Sequence, residues 1–216
     1  MRDENRKGFA IGLMGGIGSG KSFVLEVMEK EYGFKIIKTD DVSRNQMQPG
    51  EVVFNSVVEA FGEGILDEEG FIDRKKLAGI IYADDAKREL LDELTHPPVI
   101  EEVDRQIREL KEGEVLVAES ALIVDCNIMD HFDSIWLVEA PLEDRLSRLT
   151  DKRKITREHA LSIMENQLSD EEYEKYADEI IKNPDFKDVK DKFMMRNMAV
   201  DFIMKQLMAL KEKYGL

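Results

Sequence analysis

The residues Gly15-Gly16-Ile17-Gly18-Ser19-Gly20-Lys21-Ser22 fit the pattern G-x-x-x-x-G-K-[ST] in full. Such a run does one kind of chemistry well. Glycines let the backbone curl until successive N–H groups point inward at phosphate oxygens. A helix starting near Lys21 adds the positive end of its dipole. The Lys21 ammonium can bridge β- and γ-phosphates, and the Ser22 hydroxyl can ligate Mg²⁺. The phosphate-binding stretch is therefore read as Gly16, Ile17, Gly18, Ser19, Gly20, Lys21, Ser22 and Phe23.

Two acids and two arginines could complete a phosphoryl-transfer site. Asp40 follows a short apolar run, and the carboxyl ends of parallel strands face the ligand crevice. A carboxylate there can take a proton from an attacking hydroxyl or hold Mg²⁺ through water. It can equally cap a helix over 41–47. Glu119 closes the apolar run Val115-Leu116-Val117-Ala118, either as a Mg²⁺-holding acid or as an ordinary polar residue leaving a strand. Residues 145–160 carry six basic and two acidic side chains. Arg145 and Arg148 lie three apart, on one side of a helix. Guanidinium forks match phosphate oxygens, so this stretch reads as a lid over the phosphates or as a solvated basic helix. Lys21, Asp40, Arg145 and Arg148 are the candidate catalytic residues.

Other features carry less. His96, His131, His159 and Cys126 lack metal-ligand spacing. No guanine-reading N-K-x-D is present, and Asp67-Glu68-Glu69-Gly70 reads as an acidic turn. Met194, Met195, Met198, Met204 and Met208 read as core packing on a last helix.

The elements that must position these residues follow from the apolar pattern. Strands are expected over 9–14, 34–37, 115–118, 134–138 and 179–181, with a helix over 21–32 stopped by Gly33. Strand, helix, strand is the start of a parallel sheet with crossover helices. Between 49 and 112 the pattern turns helical: Val53, Val57, Val58 and Phe61 recur at helical spacing, helices follow over 73–82 and 84–94, and Pro97-Pro98 starts a new one running to Lys111. Pro141 suits the first turn of a helix, 156–167 reads as helical, and Ser169-Asp170-Glu171-Glu172 is a capping box. A closing helix is expected over 188–214. The fold class is α/β: a P-loop three-layer fold with a parallel sheet, a helical insertion and a lid. Residues 1–48, 113–144 and 179–216 form the expected core, 49–112 the insertion and 145–178 the lid.

Composition bounds the rest. The 216 residues carry 31 basic and 46 acidic side chains, a net charge of −15. That excludes a general nucleic-acid binder, which needs a basic footprint. One cysteine excludes an internal disulfide framework and fits a reducing compartment. No apolar run is long enough for a membrane span or a signal peptide, so a cytoplasmic protein is expected. The acidity is uneven: residues 113–144 hold no basic side chain, whereas the segments 1–48 and 145–160 are not negative. Exposed charges are screened beyond about 8 Å, so local sign governs phosphate binding.

The ordered set of motifs resembles the dephospho-CoA kinase family. To the P-loop it adds Thr39-Asp40-Asp41-Val42-Ser43-Arg44, Ile72-Asp73-Arg74-Lys75-Lys76-Leu77 and Thr95-His96-Pro97. Further on come Glu119-Ser120-Ala121-Leu122, Thr156-Arg157-Glu158, Gln167 and Ala177-Asp178-Glu179-Ile180-Ile181-Lys182-Asn183. The resemblance implies transfer of the γ-phosphate of ATP, with Mg²⁺, to the ribose 3′-hydroxyl of dephospho-CoA. It implies Asp40 as general base, Arg44, Arg74, His96 and Glu119 near the acceptor, and Arg145 or Arg148 as the lid arginine. A monomer or small homo-oligomer is expected. Phe23, Lys38 and Ala121 depart from the family pattern, where a hydroxyl residue, an acid and a proline are usual. The other readings are a kinase of another small hydroxyl compound and a nucleotide-binding protein without activity.

Overall fold

The computed structural model describes residues 7–216, the side chain of Lys152 excepted. The elements in chain order are β1 (Phe9–Met14), α1 (Lys21–Tyr32), β2 (Lys35–Lys38), α2 (Thr39–Gln46), α3 (Val52–Phe61), α4 (Arg74–Ala83) and α5 (Asp85–Arg108). Then come β3 (Val115–Glu119), α6 (Leu122–Asp125), β4 (Ser134–Glu139), α7 (Leu142–Arg153), α8 (Arg157–Glu165), α9 (Asp170–Glu174), β5 (Glu179–Lys182) and α10 (Lys192–Tyr214). The described residues fall into two compact units, one from Ile37 to Glu109 and one made of the chain on either side. The helical unit thus begins earlier than the expected 49 and takes α2, with Asp40 and Arg44, into it.

The strands form a sheet in the order β2-β3-β1-β4-β5. β1 pairs in parallel with β3 and β4, and β4 with β5. Parallel strands need crossover helices, which cover both faces and make the strands nearly all apolar. β1 obeys: Ala10 through Met14 are buried. The register sets Leu13 opposite Glu119 and Met14 opposite Leu137, so β1 and β3 end within a residue of each other and β4 runs on to Glu139. The P-loop leaves the sheet at that edge. One face is packed by Val24, Leu25, Val27 and Met28 of α1 and by Ile203 and Leu207 of α10, against Ile11, Val117, Trp136 and Ile181. Trp136 is fully buried, and its indole N–H donates to Ser134 Oγ at 2.9 Å. That bond removes the cost of burying a polar group.

The helical unit has its own core of Val53, Val57, Ile65 and Leu77, with Phe61, Leu91 and Leu94 packed around it. Asp73 caps α4 by accepting from the N–H groups of Lys75 and Lys76, and Asp84 caps α5 in the same way. Between α3 and α4, Asp67 forms the expected acidic turn, its carboxylate accepting from Glu69 and Phe71 N–H.

Several boundaries differ from expectation. Pro97-Pro98 does not start a helix: α5 runs through both prolines without a break. Thr95, Val99, Val103 and Ile107 are buried along one face on either side of the prolines, and packing of that stripe outweighs the lost hydrogen bonds. Asp40 is not an N-cap. β2 extends to Lys38, which takes the cap position, and Asp40 sits inside the first turn of α2. Pro141 is the N-cap of α7 rather than its first helical residue. The last helix starts at Lys192, where the Asp191 carboxylate accepts from Met194 N–H, not at 188. Met194, Met198 and Met208 are exposed rather than core. The buried face of α10 follows Val200, Ile203, Met204, Leu207 and Leu210, and those three methionines lie off that line.

Candidate phosphate-binding site

The turn from β1 into α1 carries the candidate phosphate cradle. Gly20 is the N-cap of α1, at φ 89° and ψ 26°, and no side chain among the described residues caps that helix. Phe23 and Val24 N–H close onto Gly20 O at 2.9 and 3.2 Å, and the start of such a helix suits an anion through its dipole. A Cβ on Gly20 would need a left-handed backbone and would collide with the Asn183 amide. Lys21 Nζ donates to the Gly15 carbonyl at 2.6 Å and lies 3.9 Å from Glu119 Oε1. The P-loop lysine and the acid ending β3 are thus brought together, as the strand register requires. Ser22 is exposed, with its hydroxyl in the first turn of α1. The Phe23 side chain packs against the sheet core under Arg196, and its N–H donates to Gly20 O at 2.9 Å.

Arg145 and Arg148 also meet the P-loop, but from outside. Arg145 Nε donates to Ile17 O at 2.9 Å, and its Nη1 to Asp170 at 2.8 Å. Arg148 Nη1 donates to Gly18 O at 3.1 Å and Ser19 O at 2.9 Å. Its Nη2 and Nε reach Asn183 O and Asp185. The Asn183 amide donates to Ser19 O at 2.8 Å. The Gln167 side chain accepts from Ile17 N–H at 2.8 Å. Ile17 also packs on Leu146, Leu149 and Ala160 of α7 and α8. The expected lid segment is thus in contact with the loop through backbone bonds and an apolar cluster.

Asp144 holds the segment after β5. Burial pushes its carboxyl up, but the Asp185 backbone N–H and the Lys187 ammonium outweigh that and hold it below the usual range. The Asp185 N–H bond is 2.8 Å and the Lys187 contact 2.5 Å. Asn183 closes a motif already noted and Asp170 lies in the capping box, but neither motif indicates a contact with the P-loop or its arginines, and nothing in the sequence marks Asp144 or Asp185. The available signal is position: Asn183 directly follows β5, at the strand end where ligand-side residues cluster.

The remaining candidates belong to the helical unit. Asp40 is exposed in the first turn of α2. Arg44, on the same helix, pairs with Asp41 at 2.8 Å. Arg74 is the exposed first residue of α4. His96 lies 3.4 Å from Asp92, one residue before Pro97. Exposed pairs of this kind are worth about 0–1 kcal/mol, so a ligand anion can replace their carboxylates. Among the described residues no group of three or more His, Cys, Asp or Glu could hold a metal ion. No helix among them is long and apolar enough to cross a membrane.

Comparison with known proteins points the same way. The family model for dephospho-CoA kinase matches residues 9–188. The dephospho-CoA kinase of Carboxydothermus hydrogenoformans is 37% identical over 175 residues, covering 80% of this chain and 84% of that protein. That of Aquifex aeolicus is 38% identical over 173 residues, covering 80% and 87%. The solved structure of dephospho-CoA kinase from Campylobacter jejuni superposes with a TM-score of 0.58 at 25% identity, over 92% of this chain and 97% of that one. With a P-loop following the central strand of a parallel sheet and a family match that spans the sheet and the helical unit, this chain belongs to the dephospho-CoA kinase family.

Proposed function

We propose that the protein transfers the γ-phosphate of ATP to the ribose 3′-hydroxyl of dephospho-CoA. The observation that carries this reading is the loop itself, with Lys21 and Glu119 at 3.9 Å at the start of α1, whose N-cap is Gly20. Transfer of this kind is mostly positioning and charge stabilisation. Lys21 moves its ammonium from Gly15 O to the β- and γ-phosphate oxygens. Asp40 orients the acceptor hydroxyl and takes its proton. Arg44, Arg74 and His96 hold the anionic acceptor, with Glu119 at its edge. Arg145 and Arg148 bring two guanidinium charges to the outer side of the cradle.

Mg²⁺ fits the residues present. Ser22 offers one hydroxyl, Glu119 or Asp40 a carboxylate through water, and the phosphates the rest, which matches the ion's preference for few protein ligands. When bound, it neutralises charge on the β- and γ-phosphates. ATP and dephospho-CoA are the proposed partners, in the cytoplasm, with the protein a monomer or small homo-oligomer.

The test of the assigned roles is Asp40→Asn. Turnover is expected to fall by orders of magnitude while ATP affinity, measured by calorimetry, stays within about threefold. Turnover near wild type removes Asp40 as base.

A further inference from the structure

The P-loop is held from behind by buried donors, and their targets are not random. A trans peptide places its C=O and the next residue's N–H on opposite sides. Holding a carbonyl outward therefore aims the following N–H inward. Arg145 Nε on Ile17 O aims Gly18 N–H. Asn183 Nδ2 and Arg148 Nη1, converging on Ser19 O, aim Gly20 N–H. The intervening peptide is treated differently: Arg148 touches Gly18 O, but Ser19 N–H is already spent on Gly16 O at 3.2 Å. Asn183 and Arg145 are 4% and 6% exposed, so these are built contacts and not surface ones. The guanidinium donors are also occupied at their other ends, by Asp170, Asp185 and Asn183 O.

We propose that Asn183, Arg145 and Arg148 are positioning residues that preset the Gly18 and Gly20 N–H groups toward the nucleotide phosphates. The proposal rests on the reading of this loop as the ATP phosphate cradle. A cation bound to a carbonyl also polarises that peptide and strengthens its N–H as a donor. The two arginines act through the loop, and their charge reaches phosphate by way of the peptide plane. Arg148 needs its fork for this, because one guanidinium serves Gly18 O, Ser19 O and Asn183 O together.

The experiment is a titration of full-length, ¹⁵N-labelled protein with Mg²⁺ and ADP, following the Gly18 and Gly20 amides. In wild type both amide protons move downfield. In Asn183→Asp, which keeps the side-chain size and leaves Arg148 as the remaining donor to Ser19 O, the Gly20 response is reduced and the Gly18 response is kept. In Arg145→Lys the pattern reverses. Affinity for ADP falls about tenfold in each, the size of one lost buried hydrogen bond. Arg148→Lys keeps the charge but not the fork, and its affinity falls at least as far. Wild-type responses at both glycines in both variants overturn the proposal, as does full affinity in Arg148→Lys. So does loss of both responses together in a variant whose other amides are unmoved. Failure of wild type to make CoA from dephospho-CoA and ATP sinks the functional reading instead, and the amide responses still decide the positioning roles.

Discussion

Replacing Gly20 by alanine tests how tightly the cradle is built. Two costs add. The residue sits at φ 89°, in the left-handed region, where a Cβ costs about 1–2 kcal/mol. The new methyl also displaces the Asn183 amide from Ser19 O, a buried bond worth about 1 kcal/mol, or more if the amide is left unpaired. The sum is about 2–3 kcal/mol, which at about 2–4 °C per kcal/mol for a chain of this size lowers Tm by about 4–12 °C. Gly113→Ala is the internal control. Gly113 also has positive φ, at 76°, but no described atom lies within 4 Å of its would-be Cβ. That variant bears the strain alone and should lose about 2–8 °C, less than Gly20→Ala measured alongside it. Thermal melts followed by circular dichroism read both. Combining Gly20→Ala with Asn183→Ala should cost less than the two separately, because they remove one shared contact. A Gly20→Ala drop no larger than the Gly113→Ala drop, or strict additivity in the double variant, refutes the reasoning.

Three further outcomes are expected. Lys21→Ala removes the ammonium that reaches Gly15 O and Glu119, so kcat should fall by at least about a hundredfold while circular dichroism is unchanged. Asp73→Ala deletes the cap that accepts from Lys75 and Lys76 N–H at 2.9 and 3.3 Å, and urea unfolding should show a loss of about 1 kcal/mol. Asp144 has a folded pKa below its unfolded value, so its contribution is present above about pH 4 and is lost as pH falls through the folded value. Wild type should thus lose more stability than Asp144→Asn between about pH 5 and pH 2 in parallel melts, and equal losses would contradict the assignment.

Much of the frame was legible because local signals were strong. β1 and α1 have the expected limits, since an apolar run ending in glycines and a helix stopped by Gly33 at φ 67° need only local physics. The capping box at Ser169 and Glu172 forms as written, with both reciprocal bonds present. Other features depended on packing between distant parts. The stripe from Thr95 to Ile107 keeps α5 continuous through two prolines, against their local preference. α10 buries one face on the sheet and leaves three methionines outside it, which no count of methionines reveals.

At the site, the P-loop and Glu119 were visible from spacing, because strand register fixes their meeting. The partners of Arg145 and Arg148 were not. They join residues about 130 positions apart in the chain, and only the folded loop presents its carbonyls to α7. The same holds for Asn183, whose side chain reaches Ser19 across the end of the sheet.

The identity of the acceptor decides the function. The direct measurement is kcat/KM for phosphate transfer from ATP with Mg²⁺ to dephospho-CoA, set beside adenosine, AMP and shikimate under the same conditions, with the product located by ³¹P and ¹H NMR. The predicted product is CoA, phosphorylated at the ribose 3′-oxygen, with dephospho-CoA preferred by at least about a thousandfold. Equal or better transfer to another acceptor, or phosphate at another oxygen of dephospho-CoA, contradicts it.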